Sequence, residues 1–491
     1  MDPQTKRQFS RTLYEALDQQ GYSSTRINQR ADMIADVLET CLKKGDVFDD
    51  MVVAGSKGEG ISKFFSSDLD IMLILSGIVC VEEGNGEERL VVVTNDYSTT
   101  KPGYVRLRTN SDFPYFEASI HSLCTPIDEA GNVYLDSKNA MLMLLNSRSH
   151  YHVEINGPAL TLSVSSRDFC QRLSEQLPNF LKIDNLDTIV SMLGNIGNTE
   201  TDFVIGLPFY SSTCLEKWLN RERSHEWPPK ALQNKIASMI GYVVSVGNKS
   251  SQEPDKEWRI SYTTAEKELV RKMTSGQVKL YVVLKLVQKE RLKPVCKNFT
   301  SYMVKNLVFW VLEKSPMSMF TPDTLVDGIM SAFVMLKECL ETKTLPCYMI
   351  AERNLLAERL GDEDIASLSA EVDKIIQEGY VFLNRNHKLS ISMQLQFYCP
   401  DKAENYAQWI LEIEDIVIKG VGQAFEIANE NQYADEPRTF LDNVAIGIAF
   451  RLMQLICPEI LTENRPDIGA TRKWRIYVCV TCINTIKDVL S

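Results

Sequence analysis

The spacing of apolar residues divides the chain into a helical start, a strand-rich middle and a long helical remainder. Residues 5–45 carry apolar side chains at helical spacing, which Gly21-Tyr22-Ser23-Ser24 interrupts. Between residues 51 and 165, short apolar runs alternate with glycine-containing turns, a pattern that predicts strands. The predicted strands cover 51–54, 71–75, 90–94, 104–109, 115–121 and 160–164.

Amphipathic helices are predicted from about residue 167 onward. Pro400 resists continuation of a helix, so Tyr398-Cys399-Pro400-Asp401 is a candidate boundary. We therefore divide the chain into residues 1–215, residues 216–394 and an additional helical segment, 395–491. The order of strands and then helices predicts an α+β fold. The predicted helices after the strand-rich region cover 168–177, 232–246, 265–289, 302–312, 325–340, 355–377, 407–427 and 440–456.

Composition limits the classes of protein to consider. The chain has 491 residues and a formal net charge of −12, which argues against a general nucleic-acid coat. It has no apolar run of ~18 residues and no apolar signal core at its start, so we expect a cytoplasmic protein without a membrane partner. Its 12 cysteines lack a disulfide-like spacing, and we expect reduced thiols.

Basic residues nevertheless cluster in two places. A solvated helix face explains such a cluster as well as a groove for a nucleic-acid backbone or for triphosphates does. The first cluster comprises Lys6, Arg7, Arg11, Arg26, Arg30, Lys43 and Lys44. The second comprises Lys267, Arg271, Lys272, Lys279, Lys285, Lys289, Arg291, Lys293, Lys297 and Lys305, against only two acids, Glu268 and Glu290.

Two nearby segments contain candidate active-site residues. They are Gly55-Ser56-Lys57-Gly58-Glu59-Gly60, here called the glycine turn, and Asp68-Leu69-Asp70. The glycines let the backbone turn tightly after a strand and approach a ligand, and N–H groups exposed in such a turn bind phosphate. Strand side chains alternate between faces, so the carboxylates of Asp68 and Asp70 share one face. Two acids beside a phosphate-binding turn suit divalent metal ions held against a nucleoside triphosphate.

This chemistry requires a third acid on a later strand. Asp202 opens the apolar run that follows it, as a metal-binding acid at the start of a strand would. Glu117 and Glu154 also lie in strand-like segments and are its rivals, so local pattern alone leaves Asp202 only slightly ahead of them.

A longer series of motifs extends from about residue 50 to residue 390. The motifs are Asn156-Gly157-Pro158-Ala159, Asp202-Phe203-Val204, Trp218, Arg221, Arg223, Trp227-Pro228, 257–262, 265–269, 277–285 and 301–306. In this order they resemble the Mab-21 family of nucleotidyltransferases, which includes cyclic GMP-AMP synthase and the animal cGAS-like receptors. Within the resemblance, Asp202 takes the position of the third acid.

The resemblance implies a bilobal nucleotidyltransferase fold, with a mixed β-sheet catalytic core, an N-terminal spine helix and a helical C-terminal lobe. It implies that Asp68, Asp70 and Asp202 are catalytic and hold two Mg²⁺ (or Mn²⁺) ions. It also implies nucleotide contacts, although Arg259 could equally brace a carboxylate. The expected contacts are Gly55, Ser56, Lys285 and Ser301 to the phosphates, Tyr302 stacked on the base, and Arg259 and Ser261 at base-reading positions.

The implied activity is synthesis of a cyclic dinucleotide from nucleoside triphosphates such as ATP and GTP. The family implies activation by nucleic acid and a product sensed by a STING-type receptor in innate immunity. Vertebrate cyclic GMP-AMP synthase has a zinc-binding insertion at the position where this chain has only Met273-Thr274-Ser275-Gly276-Gln277, without His or Cys. We therefore expect no structural zinc, and we favour double-stranded RNA over DNA as the activating ligand. Cys479 and Cys482 lack a second ligand pair. The alternatives are an inactive nucleotide-binding or scaffold protein and a synthase of linear oligonucleotides.

Overall fold

The computed structural model forms two compact units that interleave along the chain. Unit 1 comprises Met1–Ile27, Met72–Ser147 and Val204–Asn405, and unit 2 comprises Asn28–Ile71, Arg148–Phe203 and Tyr406–Ser491. Within them the structure describes residues 3–41, 48–63, 69–75, 77–81, 91–96, 100–109, 123–126, 131–146, 153–156, 159–163, 200–210, 213–405, 407–408, 411–412, 414–415 and 418.

Helices form most of the second half of unit 1. Short 3₁₀ helices lie at Pro254–Lys256, Met317–Phe320 and Gly379–Arg385, and a π-helical turn at Gln288–Leu292. The α-helices are α1 (Pro3–Gln19), α2 (Ser24–Cys41), α3 (Gly55–Gly58), α4 (Ser137–Asn146), α5 (Thr213–Leu219), α6 (Lys230–Ala237), α7 (Thr263–Arg271), α8 (Ser275–Val287), α9 (Lys293–Val295), α10 (Ser301–Lys314), α11 (Leu325–Glu341), α12 (Asp362–Glu378) and α13 (His387–Tyr398).

The strands belong to a mixed sheet in the order β1-β2-β9-β10-β11-β5-β4-β3. Most neighbours are antiparallel, but β3 runs parallel to both β4 and β9. The pairing of β3 with β9 closes a circuit of strands in unit 1. The described strands are β1 (Phe48–Ala54), β2 (Leu69–Leu75), β3 (Ile78–Val81), β4 (Val91–Asp96), β5 (Tyr104–Thr109), β6 (Val133–Tyr134), β7 (Val153–Asn156), β8 (Ala159–Ser163), β9 (Glu200–Tyr210), β10 (Gly241–Val244) and β11 (Glu257–Ser261).

The helical core of unit 1 is built around aromatic rings. Tyr348 is fully buried, and its ring centroid lies 5.1 Å from that of Phe309 and 5.8 Å from that of Trp227. Its hydroxyl donates to Glu313 at 2.7 Å, so the polar end of a buried ring is satisfied. Large buried rings of this kind contribute much of the apolar area that stabilises a helical region.

The mixed β-sheet and the helical C-terminal region agree with the predicted α+β class. Several helices and strands also lie close to their predicted positions. Tyr104–Thr109 is a strand, Pro3–Gln19 and Ser24–Cys41 flank the predicted interruption, and α10 and α11 cover the predicted helices 302–312 and 325–340. The bilobal arrangement and the division at residues 215 and 394 stay predictions. The predicted segments 115–121, 168–177 and 440–456 lie outside the described residues.

The predicted helix 232–246 is wrong beyond Ala237. Residues Gly241–Val244 form β10, which pairs with β9 on one side and β11 on the other. Tyrosine and valine fit a pleated surface well, and sheet pairing overrides the helical spacing there. A Cβ at Gly241 would lie 2.9 Å from the Tyr262 ring, so the bare backbone also permits close packing.

Two other helix boundaries differ from the prediction. The predicted helix 265–289 is divided by Lys272–Thr274, because Thr274 caps α8 in a capping box with Gln277. The helix predicted to begin at residue 355 begins at Asp362, with Gly361 as its N-cap. The first turn contains Asp362, Glu363 and Asp364, because the positive end of the helix dipole favours acidic side chains.

Candidate functional site

In unit 2 the glycine turn and one predicted catalytic acid lie in direct contact. Strand β1 ends at Ala54, and the chain enters the helical turn α3 through Gly55, whose φ of +62° favours glycine. A Cβ at position 55 would overlap the carboxylate of Asp70 and lie 2.8 Å from its Cγ. Asp70, the second residue of β2, therefore packs its carboxylate against the bare Cα of Gly55.

Internal hydrogen bonds fix the shape of this turn. The Ser62 hydroxyl donates to the Ser56 hydroxyl at 2.7 Å, and the Ser62 N–H donates to the Ser56 carbonyl at 2.9 Å. A Cβ at Gly58 would overlap the carbonyl of Val53, so this glycine lets the turn lie on the end of β1. The backbone that a phosphate would approach is thus set before any ligand binds.

Of the other candidate acids, Asp202 and Glu154 lie in described strands. Asp202 is half-buried in β9 and lies opposite Thr161 of β8, which in turn lies opposite Glu154 of β7. Glu154, one rival for the third-acid position, is therefore two strands away, roughly 10 Å at the usual strand spacing. Asp68 and Glu117 lie outside the described residues.

The donor chemistry in unit 2 fits a hard divalent cation. Asp70 and Asp202 are half-buried carboxylates, and carboxylate oxygen is what Mg²⁺ prefers as a protein ligand. The described part of the chain, which excludes Asp68, contains no group of three or more His, Cys, Asp or Glu residues that could hold a metal ion. A third donor at Asp68 stays a prediction.

In unit 1, Arg259 is a half-buried cation without a carboxylate partner in the part of the chain that the structure describes. Arg259 lies between the buried residues Trp258 and Ile260 in β11. Its backbone lies opposite Tyr104 of β5. Among the described residues, no hydrogen bond or ion pair reaches its guanidinium. Burial lowers the pKa of Arg259, and the nearby positive charge of Arg353 lowers it further. Arginine nevertheless stays charged at neutral pH, so this site attracts an anion or a polar base edge.

Tyr302, the expected stacking residue, is held at its hydroxyl end. The hydroxyl donates to Glu266 Oε1 at 3.0 Å, and Glu266 also pairs with Lys305 Nζ at 2.6 Å. Burial, together with the nearby Cys347 and Glu266, raises the pKa of Tyr302 well above its ordinary value. The phenol therefore stays neutral at physiological pH, and the anchored hydroxyl restricts the ring to one orientation.

The remaining predicted nucleotide contacts lie on three elements of unit 1. Ser261, two residues after Arg259, shares a hydrogen bond with the Thr263 hydroxyl at 2.7 Å. Lys285 is half-buried in the last turn of α8, and Ser301 is the exposed first residue of α10. Both are polar groups of the kind that binds phosphate.

Some side chains of the two basic clusters form ion pairs, and others are exposed to solvent. In unit 1, Lys6 pairs with Asp327 and Arg11 pairs with Asp323. In unit 2, Arg30 is buried. Lys43 and Lys44 lie outside the described residues. Three more pairs are Lys279–Asp18 at 2.5 Å, Arg291–Glu371 at 2.5 Å and Lys305–Glu266 at 2.6 Å. Exposed members of the second cluster are Lys272, Lys289, Lys293 and Lys297.

Residues 276–374 match the Mab-21 protein HhH/H2TH-like domain. This match supports membership of the Mab-21 family. The matched range begins in α8 and ends in α12, so it includes Lys285, Ser301 and Tyr302. At a general level the family is nucleotidyltransferase-like and nucleotide-binding. None of the described helices is long and apolar enough to cross a membrane.

Two features of the candidate site were not predicted from the sequence. Glu266 connects Tyr302 with Lys305, and Glu358 neutralises Arg353 beside Arg259 through contacts of 2.7 and 2.8 Å. The alternation of polar and apolar residues in β11 could have placed Arg259 and Ser261 on one face. No local signal indicates which acid neutralises which base.

Proposed function

We propose that this protein is a nucleotidyltransferase that makes a cyclic dinucleotide from nucleoside triphosphates when double-stranded RNA is bound. The observation that carries the proposal is the contact between the backbone of Gly55 and the carboxylate of Asp70. It brings the glycine turn and a carboxylate together within unit 2. The Mab-21 match supports the coarser assignment to a nucleotidyltransferase-like family.

Asp68, Asp70 and Asp202 are the residues that would hold two Mg²⁺ ions. Bound there, such ions lower the pKa of an attacking hydroxyl and neutralise charge on the leaving pyrophosphate. In the proposed reaction a ribose hydroxyl oxygen releases its proton to solvent and bonds to the α-phosphorus of a triphosphate, and the bond between that phosphorus and pyrophosphate breaks. Asp202 faces the acceptor nucleotide and orients that hydroxyl.

The chain's other residues bind and orient the nucleotides. The Gly55 backbone and the Ser56 hydroxyl bind the β- and γ-phosphates, and the bond from Ser62 restrains the Ser56 side chain. Lys285 and Ser301 neutralise and hydrogen-bond the triphosphate.

At the base end, Tyr302 stacks on a nucleobase while Glu266 holds its hydroxyl. Arg259 and Ser261 bind the base edge. The absence of a described carboxylate partner for Arg259 supports ligand binding over the alternative in which it braces a carboxylate.

The activating ligand is double-stranded RNA, bound through its phosphates. Support comes from Lys272, Lys289, Lys293 and Lys297, whose exposed side chains can neutralise backbone phosphates. The product signals in the cytoplasm to a STING-type receptor.

Incubation of the purified protein with four labelled nucleoside triphosphates and Mg²⁺ or Mn²⁺ tests the proposal. Long double-stranded RNA, long double-stranded DNA or no nucleic acid is added, beside an Asp68→Asn, Asp70→Asn double variant. We expect a phosphatase-resistant product that requires RNA and both acids. Nucleotide binding without any product under all three conditions would support the inactive scaffold instead.

A further inference from the structure

A fully buried arginine in unit 2 joins the glycine turn to the C-terminal segment. Arg30 of α2 donates from Nε to Glu414 Oε1 at 2.6 Å and from Nη2 to Glu414 Oε2 at 3.0 Å. The side chains of Arg30 and Glu414 are 0% and 1% exposed. A two-point contact of this kind fixes both the distance and the plane of the guanidinium.

The third contact of Arg30 is with the glycine turn itself. Its Nη1 donates to the carbonyl of Gly60 at 2.6 Å. Gly60 closes the turn with a φ of +70°, and its N–H donates to the Lys57 carbonyl at 2.9 Å. The guanidinium therefore holds the last peptide of the turn whose first residue packs against Asp70.

We propose that Glu414 is a positioning residue for the nucleotide site, acting through Arg30 on the Gly60 carbonyl. Glu414, which lies beyond residue 395, then supplies part of the support for the phosphate-binding turn. This inference rests on the proposed function, since the ligand that the turn would hold is the triphosphate of a nucleotide.

The chemistry of the pair favours positioning over stability alone. A buried ion pair is a weak source of stability, because removing two charges from water offsets most of their attraction. Packed apolar side chains would stabilise the same interior at least as well. They could not donate to the Gly60 carbonyl, which accepts from Arg30 Nη1.

The test measures binding of a fluorescent, non-hydrolysable ATP analogue and of the corresponding GTP analogue with Mg²⁺, with and without double-stranded RNA. The full-length protein is compared with Glu414→Gln, at a temperature where melting curves show both to be folded. The variant leaves Arg30 in place and removes the charge that aligns it. We expect a Kd about tenfold higher, the lower end of what losing an outer orienting partner costs.

Glu313→Gln in unit 1 is the matched control. Glu313 is a buried carboxylate that accepts from Arg221 at 3.0 Å and Arg223 at 3.1 Å, and it belongs to no candidate nucleotide contact. We expect this control to lower the melting temperature while the Kd for nucleotide stays unchanged. Hydrogen exchange of residues 55–62 should accelerate in Glu414→Gln but not in Glu313→Gln.

The outcomes separate this inference from the proposed function. An unchanged Kd and unchanged exchange of the turn in folded Glu414→Gln would overturn the inference while nucleotide binding by the wild type stands. Failure of the wild type to bind either analogue would overturn the proposed function, and with it the role of Glu414 in nucleotide binding. If Glu414→Gln does not fold, Glu414→Asp, which keeps the charge and shortens its reach, is judged by the same criteria.

Discussion

The glycine turn of unit 2 and the β11 region of unit 1 each contain an arginine, and the two differ in their partners: Arg30 is fully buried, whereas Arg259 is half-buried. Arg30 has two contacts to one carboxylate and a third to a backbone carbonyl. Arg259 has burial and a positive neighbour, with no carboxylate among the described residues. The protein itself satisfies the first guanidinium. The second is half-buried and has no acid partner in the described part of the chain, so it remains available to a ligand.

This difference distinguishes structural charges from charges that serve a ligand. Lys279, Arg291 and Lys305 belong with Arg30, because each is paired with an acid of the same unit. A cation whose partner is already in place contributes to the architecture, whereas one without a partner is a candidate contact for phosphate or base. Four sets of variants test the comparison, beginning with the largest expected effect.

Asp70→Asn should abolish most of the activity while the fold persists. Loss of a carboxylate that holds a catalytic metal ion removes several kcal/mol of transition-state stabilisation, about 10³-fold in rate. The rate of pyrophosphate release measures the effect. Asp362→Asn, which changes an exposed acid in α12, is the control and should retain wild-type activity. Equal rates for wild type and Asp70→Asn would exclude Asp70 as a catalytic acid.

Gly55→Ala should weaken nucleotide binding and lower the free energy of unfolding by about 1–3 kcal/mol. The added Cβ is strained at a φ of +62° and also overlaps the Asp70 carboxylate. Gly77→Ala is the matched control, because Gly77 has a φ of +74° and a Cβ added there would meet nothing within 4 Å. The control carries only the backbone strain, about 1–2 kcal/mol. Titration calorimetry should show normal nucleotide binding in Gly77→Ala alone.

Arg259→Gln and Arg353→Gln should separate binding from stability. Arg259→Gln removes a charge that has no described partner, so we expect an unchanged melting temperature and a Kd for nucleotide roughly tenfold higher. Arg353→Gln leaves Glu358 without its cationic partner, so we expect a loss of about 3 kcal/mol in the free energy of unfolding. Denaturant titration and nucleotide binding are measured on both variants. A large stability loss in Arg259→Gln would indicate a structural partner for Arg259.

Tyr302→Phe should have the smallest effect, because it keeps the ring and removes only the hydrogen bond to Glu266. We expect a loss of about 1 kcal/mol in stability and little change in nucleotide affinity. The raised pKa of folded Tyr302 stabilises the wild type fully below the ordinary value of 10.0. That stability is lost as the pH rises above 10.0, so the advantage over Tyr302→Phe should shrink there. A constant difference between the melting curves across this range would contradict the assignment.

Local pattern predicted those elements whose own residues decide their conformation. The strand at Tyr104–Thr109, the helix pair at the N-terminus and the turn at Gly55 follow from apolar spacing and glycine placement. The helix predicted over Gly241–Val244 was wrong because pairing with two strands distant in sequence determines that segment.

The contacts of the candidate site could not be predicted from local pattern, because they join residues that are distant in sequence. Arg30 and Glu414 are 384 residues apart, and Tyr302 and Glu266 are 36 apart, so neither pair leaves a local signal. Arg30 therefore resembled any member of a basic cluster in the sequence. Likewise, a sequence identifies Arg259 as a charge but not whether an acid neutralises it.

The most direct test of the central claim is the ratio of pyrophosphate to dinucleotide formed by the wild-type protein from ATP and GTP with Mg²⁺ and double-stranded RNA. Mass spectrometry identifies the product, and Asp70→Asn provides the background. The account predicts a cyclic dinucleotide with two pyrophosphates released for each molecule. One pyrophosphate per dinucleotide would indicate a linear product, and no pyrophosphate above the Asp70→Asn background would contradict catalysis at this site.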